Sequence, residues 1–351
     1  MAKCVYHFGP SVDYVGGMAS VIAMLSERGL GAEEATAVPT WVPGSHLRSG
    51  FLAARAVASV LRAPRGTAIH VHMSVGGSFV REAAIVVAAK CRGLPRVITI
   101  HSGGFADFGD RRPRLVAAVL GMASAVTVLS EVDLGVVRRL APHVHAELLP
   151  NPMPLDTGSG PVTETSELVL FAGEVGVSKG VDVLQQAWEV VASRRPLAKC
   201  IVVGPATELR LPETERLEIR GPVDSGQVKQ LIREARVIAL PSRGEALPMI
   251  LTEAMAAGRP FVSTPTGGIA SLANGGLIVP VEDHRALAEA LIALLADPER
   301  AQALGSAGRE LCRKRMSPEA VGTRLRQLYN LSTGQREDGQ HPHEIWRSDE
   351  W

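Results

Sequence analysis

The sequence predicts an α/β protein made of two doubly wound, Rossmann-like domains. Short runs rich in β-branched residues alternate with longer amphipathic runs, as is typical of βαβ units around a parallel sheet. The segment 150–167, rich in Pro, Gly, Ser and Thr, interrupts this alternation once. The alternation then restarts, so the segment indicates a linker between two domains. A length of 351 residues also favours two domains, although length alone leaves a single large barrel open.

The first predicted domain covers residues 1–155. Its strand-like segments are "KCVYHF" (3–8), "AIHVH" (68–72), "RVITIH" (96–101), "AVTVLS" (125–130) and "ELLP" (147–150). Three segments between them have helical periodicity, namely 16–28, 78–91 and 113–123. Strands that are this continuously apolar predict a sheet covered on both faces.

The second predicted domain covers residues 156–316. Its predicted strands are 168–173, 199–204, 236–240, 260–264 and 277–280, and its predicted helices are 181–193, 225–235, 248–257 and 283–297. A last helix, 317–331, begins with Ser317 as N-cap and Pro318 behind it. The polar tail 332–351 is expected to be disordered.

Composition excludes several classes of protein. The chain is 46% hydrophobic and 21% charged with a formal net charge of +1, which is ordinary for a soluble domain and gives no electrostatic case for nucleic acid. Four scattered cysteines lack metal-ligand spacing and fit reduced thiols. No apolar stretch is long enough to span a bilayer. We therefore expect a cytoplasmic protein, with peripheral contact at the inner membrane face left open.

The stretch "GEALPMILTEAMAAG" (244–258) contains two glutamates at positions 245 and 253. Pro248 suits the first position of a helix, and Gly258 suits its end. Glu253 is surrounded by apolar residues, and a glutamate is almost never buried without a partner. We therefore expect Glu253 to meet a partner in a cleft.

Polar and glycine residues also follow several predicted strands: Gly16-Gly17, His72, His101, Lys179 and Glu245. Ligands of open α/β sheets bind outside the carboxyl ends of the strands. With two such domains, the expected site is the cleft between the two sets of strand ends.

The segment "PSRGEALPMILTEAMAAGRPFVSTPTGGI" (241–269) resembles the signature of the retaining glycosyltransferases of the GT-B fold, family 4. That signature is a glutamate, seven residues and a second glutamate, followed by a Gly-Gly loop. Other segments match in the family's order: "GG" (16–17), "ITIHSGGF" (98–105), "LPNPMP" (149–154), "FAGEVGVSKGVDVLQQAW" (171–188) and "VVGP" (202–205). The resemblance covers residues 3 to about 331 and implies that helix 317–331 crosses back to the first domain.

The resemblance implies a donor site for a nucleoside-diphosphate sugar in the second domain. Glu253 would hold the ribose diol, because a carboxylate accepts hydrogen bonds from two hydroxyls. Glu245 would meet the donor sugar. Lys179 would neutralise the diphosphate, which would lie near the N-terminus of the helix at Leu247 and Pro248.

In the first domain, the resemblance places His101 beside the donor sugar. Gly16 and Gly17 would let the backbone approach phosphate closely. Taken alone, the glycines also fit a plain strand–helix turn, His101 a core histidine and Lys179 a solvated loop lysine. His70 and His72 have no predicted role beyond acceptor contact.

One position departs from the family pattern. Family members usually carry an arginine after the glycine of "FAG", where this chain has Glu174. Glu174 cannot neutralise diphosphate, so Arg243 is the nearest substitute along the sequence.

Three functions compete. The first is a retaining, metal-independent glycosyltransferase that needs no cofactor besides its nucleotide-sugar donor. Its acceptor would be a glycan, a lipid-linked molecule or a natural product, bound by loops 39–50, 73–78 and 102–112. The second is a GT-B phosphorylase or epimerase. The third is a degenerate protein that only binds a sugar nucleotide. A dehydrogenase is disfavoured because "FGPSVDYVGG" lacks G-x-G-x-x-G, and a metal site because no Asp-x-Asp or His/Cys cluster is present.

Overall fold

The computed structural model describes residues 4–14, 16–207, 209 and 214–331. These residues form two compact units. The first unit contains the chain up to Pro152 and the helix that begins at Pro318, and the second unit contains Met153–Ser317. The sequence placed these boundaries at 155/156 and 316/317. The predicted tail, 332–351, lies outside the described residues.

The first unit contains a six-stranded parallel sheet. Its strands are β1 (Cys4–Pro10), β2 (Glu34–Trp41), β3 (Ala68–Met73), β4 (Arg96–Ile100), β5 (Ala125–Val128) and β6 (His145–Leu148). Its helices include α1 (Gly17–Glu27), α2 (His46–Arg62), α3 (Gly77–Cys91), α4 (Phe105–Arg111), α5 (Pro113–Leu120) and α6 (Glu131–Leu140). The strand order is β2-β1-β3-β4-β5-β6.

The two faces of this sheet differ in polarity. Because side chains alternate along a strand, one face is lined by Phe8, Val71, Ile98 and other members of the hydrophobic core. The opposite face carries a row of polar side chains in register. His7 pairs with His70, His72 with Thr99, and Thr99 with Thr127. All five are buried, so a polar layer lies inside the first unit.

The second unit repeats the architecture. Its strands are β7 (Leu168–Ala172), β8 (Lys199–Val203), β9 (Leu217–Arg220), β10 (Val237–Leu240), β11 (Phe261–Ser263) and β12 (Gly276–Ile278). Its helices are α7 (Val181–Arg194), α8 (Ser225–Glu234), α9 (Met249–Ala256), α10 (His284–Ala296) and α11 (Pro298–Arg315). The strand order is β12-β11-β10-β7-β8-β9, again all parallel.

The last helix, α12 (Pro318–Leu331), packs within the first unit. Arg324 donates hydrogen bonds to both carboxylate oxygens of Glu147, at the end of β6. The hydroxyl of Tyr329 lies 2.7 Å from Nδ1 of His70 on β3. Both contacts are buried, so α12 is anchored to the sheet by polar groups at two separate points.

The sequence missed the strands β2 and β9, which lie at the edges of their sheets. Edge strands partly face solvent and therefore lack a continuous apolar run. It also missed four helices, α2, α4, α6 and α11. As a result, two segments expected to be acceptor loops are partly regular: 39–50 includes the end of β2 and the start of α2, and 102–112 contains α4.

None of the helices within the described residues combines the length and the apolar character needed to cross a membrane.

Candidate active site

Glu245 follows the carboxyl end of β10, and the hydrogen bonds of its side chain within the described residues all reach one carboxylate oxygen. Its Oε1 accepts a hydrogen bond from Lys179 Nζ at 2.6 Å and another from Ser242 Oγ at 2.8 Å. Within the described residues its Oε2 makes no hydrogen bond. The side chain of Glu245 is 9% exposed and that of Lys179 28%. The structure thus brings together two predicted site residues that are 66 positions apart, and it leaves one carboxylate oxygen free to accept.

Two glycines permit this arrangement. Lys179 ends a 3-10 turn, Val177–Lys179, and Gly180 follows with φ +70°. A Cβ atom at Gly180 would lie 1.9 Å from the Pro241 carbonyl oxygen, so the loop after β7 can touch the loop after β10 only through glycine. Gly267 has φ +56°, and a Cβ there would lie 1.9 Å from the carbonyl oxygen of Glu245. The loop that contains Gly267 and Gly268 therefore packs directly against the backbone of Glu245.

Arg243 is already neutralised by carboxylates. Its guanidinium makes a bidentate pair with Asp182, at 2.8 and 2.9 Å, and its Nε donates to Glu282 at 2.8 Å. These hydrogen bonds, first the pair that Arg243 donates to Asp182 and then the one that it donates to Glu282, raise the pKa of Arg243. The sequence nominated Arg243 to replace the arginine absent at exposed Glu174. In the structure the two carboxylates neutralise the charge of Arg243. Of the two predicted cations, Lys179 is the one that is bonded to Glu245.

Glu253 lies on α9 among apolar neighbours and is half-buried. Its carboxylate makes no hydrogen bond or ion pair with the residues that the structure describes. Burial raises its pKa to about 7, although the charge of Lys229 partly opposes this shift. The carboxylate is thus held where its ionised form is poorly solvated, which is costly unless hydrogen-bond donors approach it.

The helix that carries Glu253 begins one residue later than predicted. Pro248 has extended backbone angles, φ −71° and ψ 126°, and acts as the N-cap of α9 instead of its first helical residue. Leu247 before it is buried. The expected end of the helix is confirmed, since Gly258 follows the C-cap with φ +70°.

In the first unit, His101 follows the end of β4 and belongs to a group of four histidines. Its Nε2 lies 2.9 Å from Nδ1 of His72, and Nε2 of His72 lies 3.1 Å from Nδ1 of His7. The ring of His70 stacks on that of His72 with centroids 4.3 Å apart. His70 is held by the Tyr329 hydroxyl and, through Nε2 at 2.7 Å, by the Thr99 hydroxyl.

These histidines are electrically neutral at physiological pH. Burial lowers the pKa of His7 to about 3 and that of His101 to about 4. The pKa values of His70 and His72 are also lowered, first by burial and then by the neighbouring histidines. The sequence contains no His/Cys cluster, yet the fold gathers nitrogen atoms of His7, His70 and His72 within 4.8 Å of one another.

Gly16 and Gly17 mark the start of α1. Gly16 is its N-cap with extended backbone, and a Cβ atom there would lie 3.1 Å from the ring of Tyr14. This geometry fits a strand–helix turn, and the approach of phosphate to these glycines stays a prediction.

Sequence reasoning missed Ser242, His7 and Tyr329. Ser242 stands three residues before Glu245, and His7 could have been recognised as the partner of His70 if β1 had been aligned with β3. Tyr329 had no signal, because only folding brings α12 onto β3.

Comparison with known proteins agrees with these observations. Residues 166–297 match the family model described as glycosyl transferases group 1. A D-inositol 3-phosphate glycosyltransferase from Xylanimonas cellulosilytica is 30% identical over 244 residues, which cover 63% of this chain and 58% of that protein. A GDP-mannose-dependent monoacylated alpha-(1-6)-phosphatidylinositol monomannoside mannosyltransferase from Corynebacterium glutamicum is 29% identical over 46% of this chain and 47% of its own length. The chain thus spans about half the length of these two relatives.

The fold has solved counterparts. The crystal structure of Anabaena Alr3699/HepE in complex with UDP superposes with a TM-score of 0.73 over 93% of this chain and 98% of that chain, at 14% identity. This likeness shows that the two units form the pair of Rossmann-like domains of the GT-B fold. Residues 166–297, which lie in the second unit, are thus similar to the glycosyl transferases group 1, and the two units have the GT-B fold.

Proposed function

We propose that this protein is a retaining glycosyltransferase that moves a sugar from a nucleoside diphosphate to a hydroxyl acceptor. The observation that carries the proposal is the Lys179–Glu245 pair, in which one carboxylate oxygen is bound and the other is free to meet a sugar. In the proposed reaction the bond between the sugar C1 and the diphosphate oxygen breaks. The acceptor oxygen bonds to C1 on the same face, and its proton passes to the departing phosphate.

Lys179 is the group that we expect to stabilise the leaving diphosphate. An ammonium has three N–H donors, so Nζ can keep its bond to Glu245 and still donate to phosphate. With this cation in place, transfer should need no divalent metal. The opposing hypothesis is a degenerate protein that binds donor without transfer, and exposed Glu174 with the already paired Arg243 supports it.

A donor screen tests the proposal and separates these hypotheses. UDP-, GDP-, ADP- and dTDP-sugars are added to the protein in EDTA, and thermal unfolding is followed. A true donor at a hundred times its Kd adds about 2.7 kcal/mol of stability. Transfer to an inositol phosphate or a lipid-linked inositol with retained anomeric configuration would support the enzyme. Binding without turnover would favour the degenerate protein, and activity that returns only with Mg²⁺ would contradict metal independence.

We expect Glu253→Gln to stabilise the free protein and to weaken donor binding. The folded pKa of Glu253, about 7, exceeds the ordinary value of 4.5, so this group lowers stability as the pH rises from about 4.5 to 7. Above pH 7 the amide should therefore gain roughly 1–3 kcal/mol in unfolding free energy. Loss of charge-assisted bonds to the ribose should raise the donor Kd roughly tenfold to a hundredfold.

The pH dependence checks the same assignment. If the ionised Glu253 binds the ribose, wild-type donor affinity should fall roughly tenfold between pH 8 and pH 6, and Glu253→Gln should abolish this dependence. Calorimetry measures Kd, and urea unfolding at pH 5 and pH 8 measures stability. A variant with unchanged Kd and unchanged stability would show that Glu253 is only a helix residue.

Membrane contact on the acceptor side is also a proposal. It is supported by the outer surface of α2, where Leu47 is 90% and Phe51 63% exposed. Exposed Arg48 and Arg55 flank them, and the guanidinium of Arg55 lies over the Phe51 ring at 5.7 Å. Apolar and basic side chains together favour an anionic lipid surface. Failure to sediment with anionic vesicles would refute this contact.

A further inference from the structure

His7, His72 and His101 form a continuous row of hydrogen bonds, which we call the histidine row. It runs from β1 across β3 to the end of β4 through contacts of 3.1 and 2.9 Å. His7 is 0% and His72 1% exposed, whereas His101 is half-buried. The row therefore links a fully buried ring to the one that the resemblance places beside the donor sugar.

The two hydrogen bonds of the row must run in the same direction. A neutral imidazole has one N–H donor and one bare nitrogen acceptor, and both nitrogens of His72 are bonded to other imidazoles. If His72 is protonated on Nδ1, it donates to His101 Nε2 and accepts from His7 Nδ1–H. If it is protonated on Nε2, both bonds reverse. The row thus has two states, with all three rings protonated on Nδ1 or all three on Nε2.

The buried end of the row distinguishes the two states. Nε2 of His7 is buried and has no hydrogen-bond partner among the residues that the structure describes. In the second state this atom would be an N–H donor without an acceptor, which is a rare defect in protein interiors. In the first state it is a bare aromatic nitrogen, which is less costly to bury. The environment of His7 therefore favours the first state.

We propose that His7 and His72 act as positioning residues that fix His101 as the Nδ1–H tautomer. His101 then presents a neutral N–H donor, and not a base, at the end of β4. The part of this proposal that concerns the ligand rests on the proposed function: the N–H would donate to an oxygen of the donor sugar.

The surroundings of the row hold its rings in place. His70 stacks on His72 and is fixed by Tyr329 on one side and Thr99 on the other. Thr99 is in turn bonded to Thr127 at 2.6 Å. The same nitrogen lone pairs would be needed to ligate a metal ion, so metal binding at His7, His70 and His72 is a competing arrangement.

Nitrogen NMR of protein labelled with ¹⁵N-histidine tests the tautomers directly. We expect His7, His72 and His101 all to be protonated on Nδ1 in the wild-type protein. An Nε2–H signal from His101, or a stoichiometric zinc ion that resists dialysis and whose removal changes these signals, would overturn the proposal.

A pair of variants at the remote end tests the coupling. His7→Leu removes the donor to His72, so both tautomers of His72 and His101 become accessible. His7→Asn keeps an N–H close to the position of Nδ1 and should preserve the wild-type tautomer. We expect mixed tautomers at His101 and a donor Kd raised about threefold to tenfold in His7→Leu only. Identical His101 signals in both variants would refute the coupling.

The design separates this proposal from the proposed function. If the tautomers are as expected but no nucleotide sugar binds, the proposal on the histidine row is supported and the proposed function is contradicted. If donor binds while His101 is protonated on Nε2, the proposed function is supported and the proposal on the histidine row is contradicted. Should His7→Leu not fold, the wild-type spectrum still decides between the two states.

Discussion

Replacing Glu245 with Gln is expected to lower kcat by about 10²- to 10³-fold. The glutamine has nearly the same shape, but in the proposed reaction it cannot stabilise the positive charge that develops on the sugar as the bond at C1 breaks. Donor Kd should change by less than about threefold, because Lys179 keeps its charge and loses only its internal partner. Steady-state kinetics and calorimetry measure the two quantities separately.

Two comparisons make the Glu245 result interpretable. Glu289→Gln is the matched control, because Glu289 is an exposed glutamate on α10 that pairs with Arg194, and its activity should stay at the wild-type level. Combining Glu245→Gln with Lys179→Met should cost less than the sum of the two changes, since the groups are bonded. A Glu245→Gln variant with wild-type kcat would refute the catalytic assignment, and additive effects would show that the pair is not a unit.

Replacing Arg324 with Met is expected to destabilise the first unit by about 3–5 kcal/mol. Arg324 and Glu147 are 6% and 8% exposed, so removing the cation leaves a buried carboxylate. Burial alone would raise the pKa of Glu147, but hydrogen bonds from His145 and Arg324 and the charge of Arg324 lower it overall. The pair therefore stabilises the fold above about pH 4.5, and this contribution is lost as pH falls through the lowered pKa.

Urea unfolding at pH 7 and pH 4.5 measures this effect. The loss should be smaller at pH 4.5, because the unpaired Glu147 can then take up a proton. Arg313→Met is the control: Arg313 pairs with Glu310 on the exposed surface of α11, and its loss should leave the free energy of unfolding close to the wild-type value. Equal effects at the two positions would mean that the Arg324–Glu147 pair does not stabilise the packing of α12.

Local pattern predicted much of the fold because central parallel strands are buried on both faces. Segments such as "RVITIH" and "LVLFAG" must be apolar and β-branched, so they were identified to within one or two residues of β4 and β7. The edge strands β2 and β9 were not predicted, for the opposite reason. One side of each is solvated, and composition there is not constrained to be apolar.

The sequence by itself indicated the resemblance to a family and the two candidate glutamates, because both lie in one continuous segment with a fixed spacing between them. It could not determine how charges are shared. Whether Arg243 is free or paired depends on Asp182 and Glu282, which lie 61 and 39 positions away. The pairing of Lys179 with Glu245 likewise joins residues that are 66 positions apart.

The histidine group shows most clearly what tertiary structure decided. His7, His70, His72 and His101 are separate in the sequence, and each alone fits a core residue. Parallel register and the alternation of the strands place three of them on one sheet face, and α12 supplies Tyr329 from 259 residues away. The tautomer and the protonation state of each histidine depend on its burial and on the direction of the hydrogen bonds across this layer. Burial and these hydrogen bonds are set only when the strands pair.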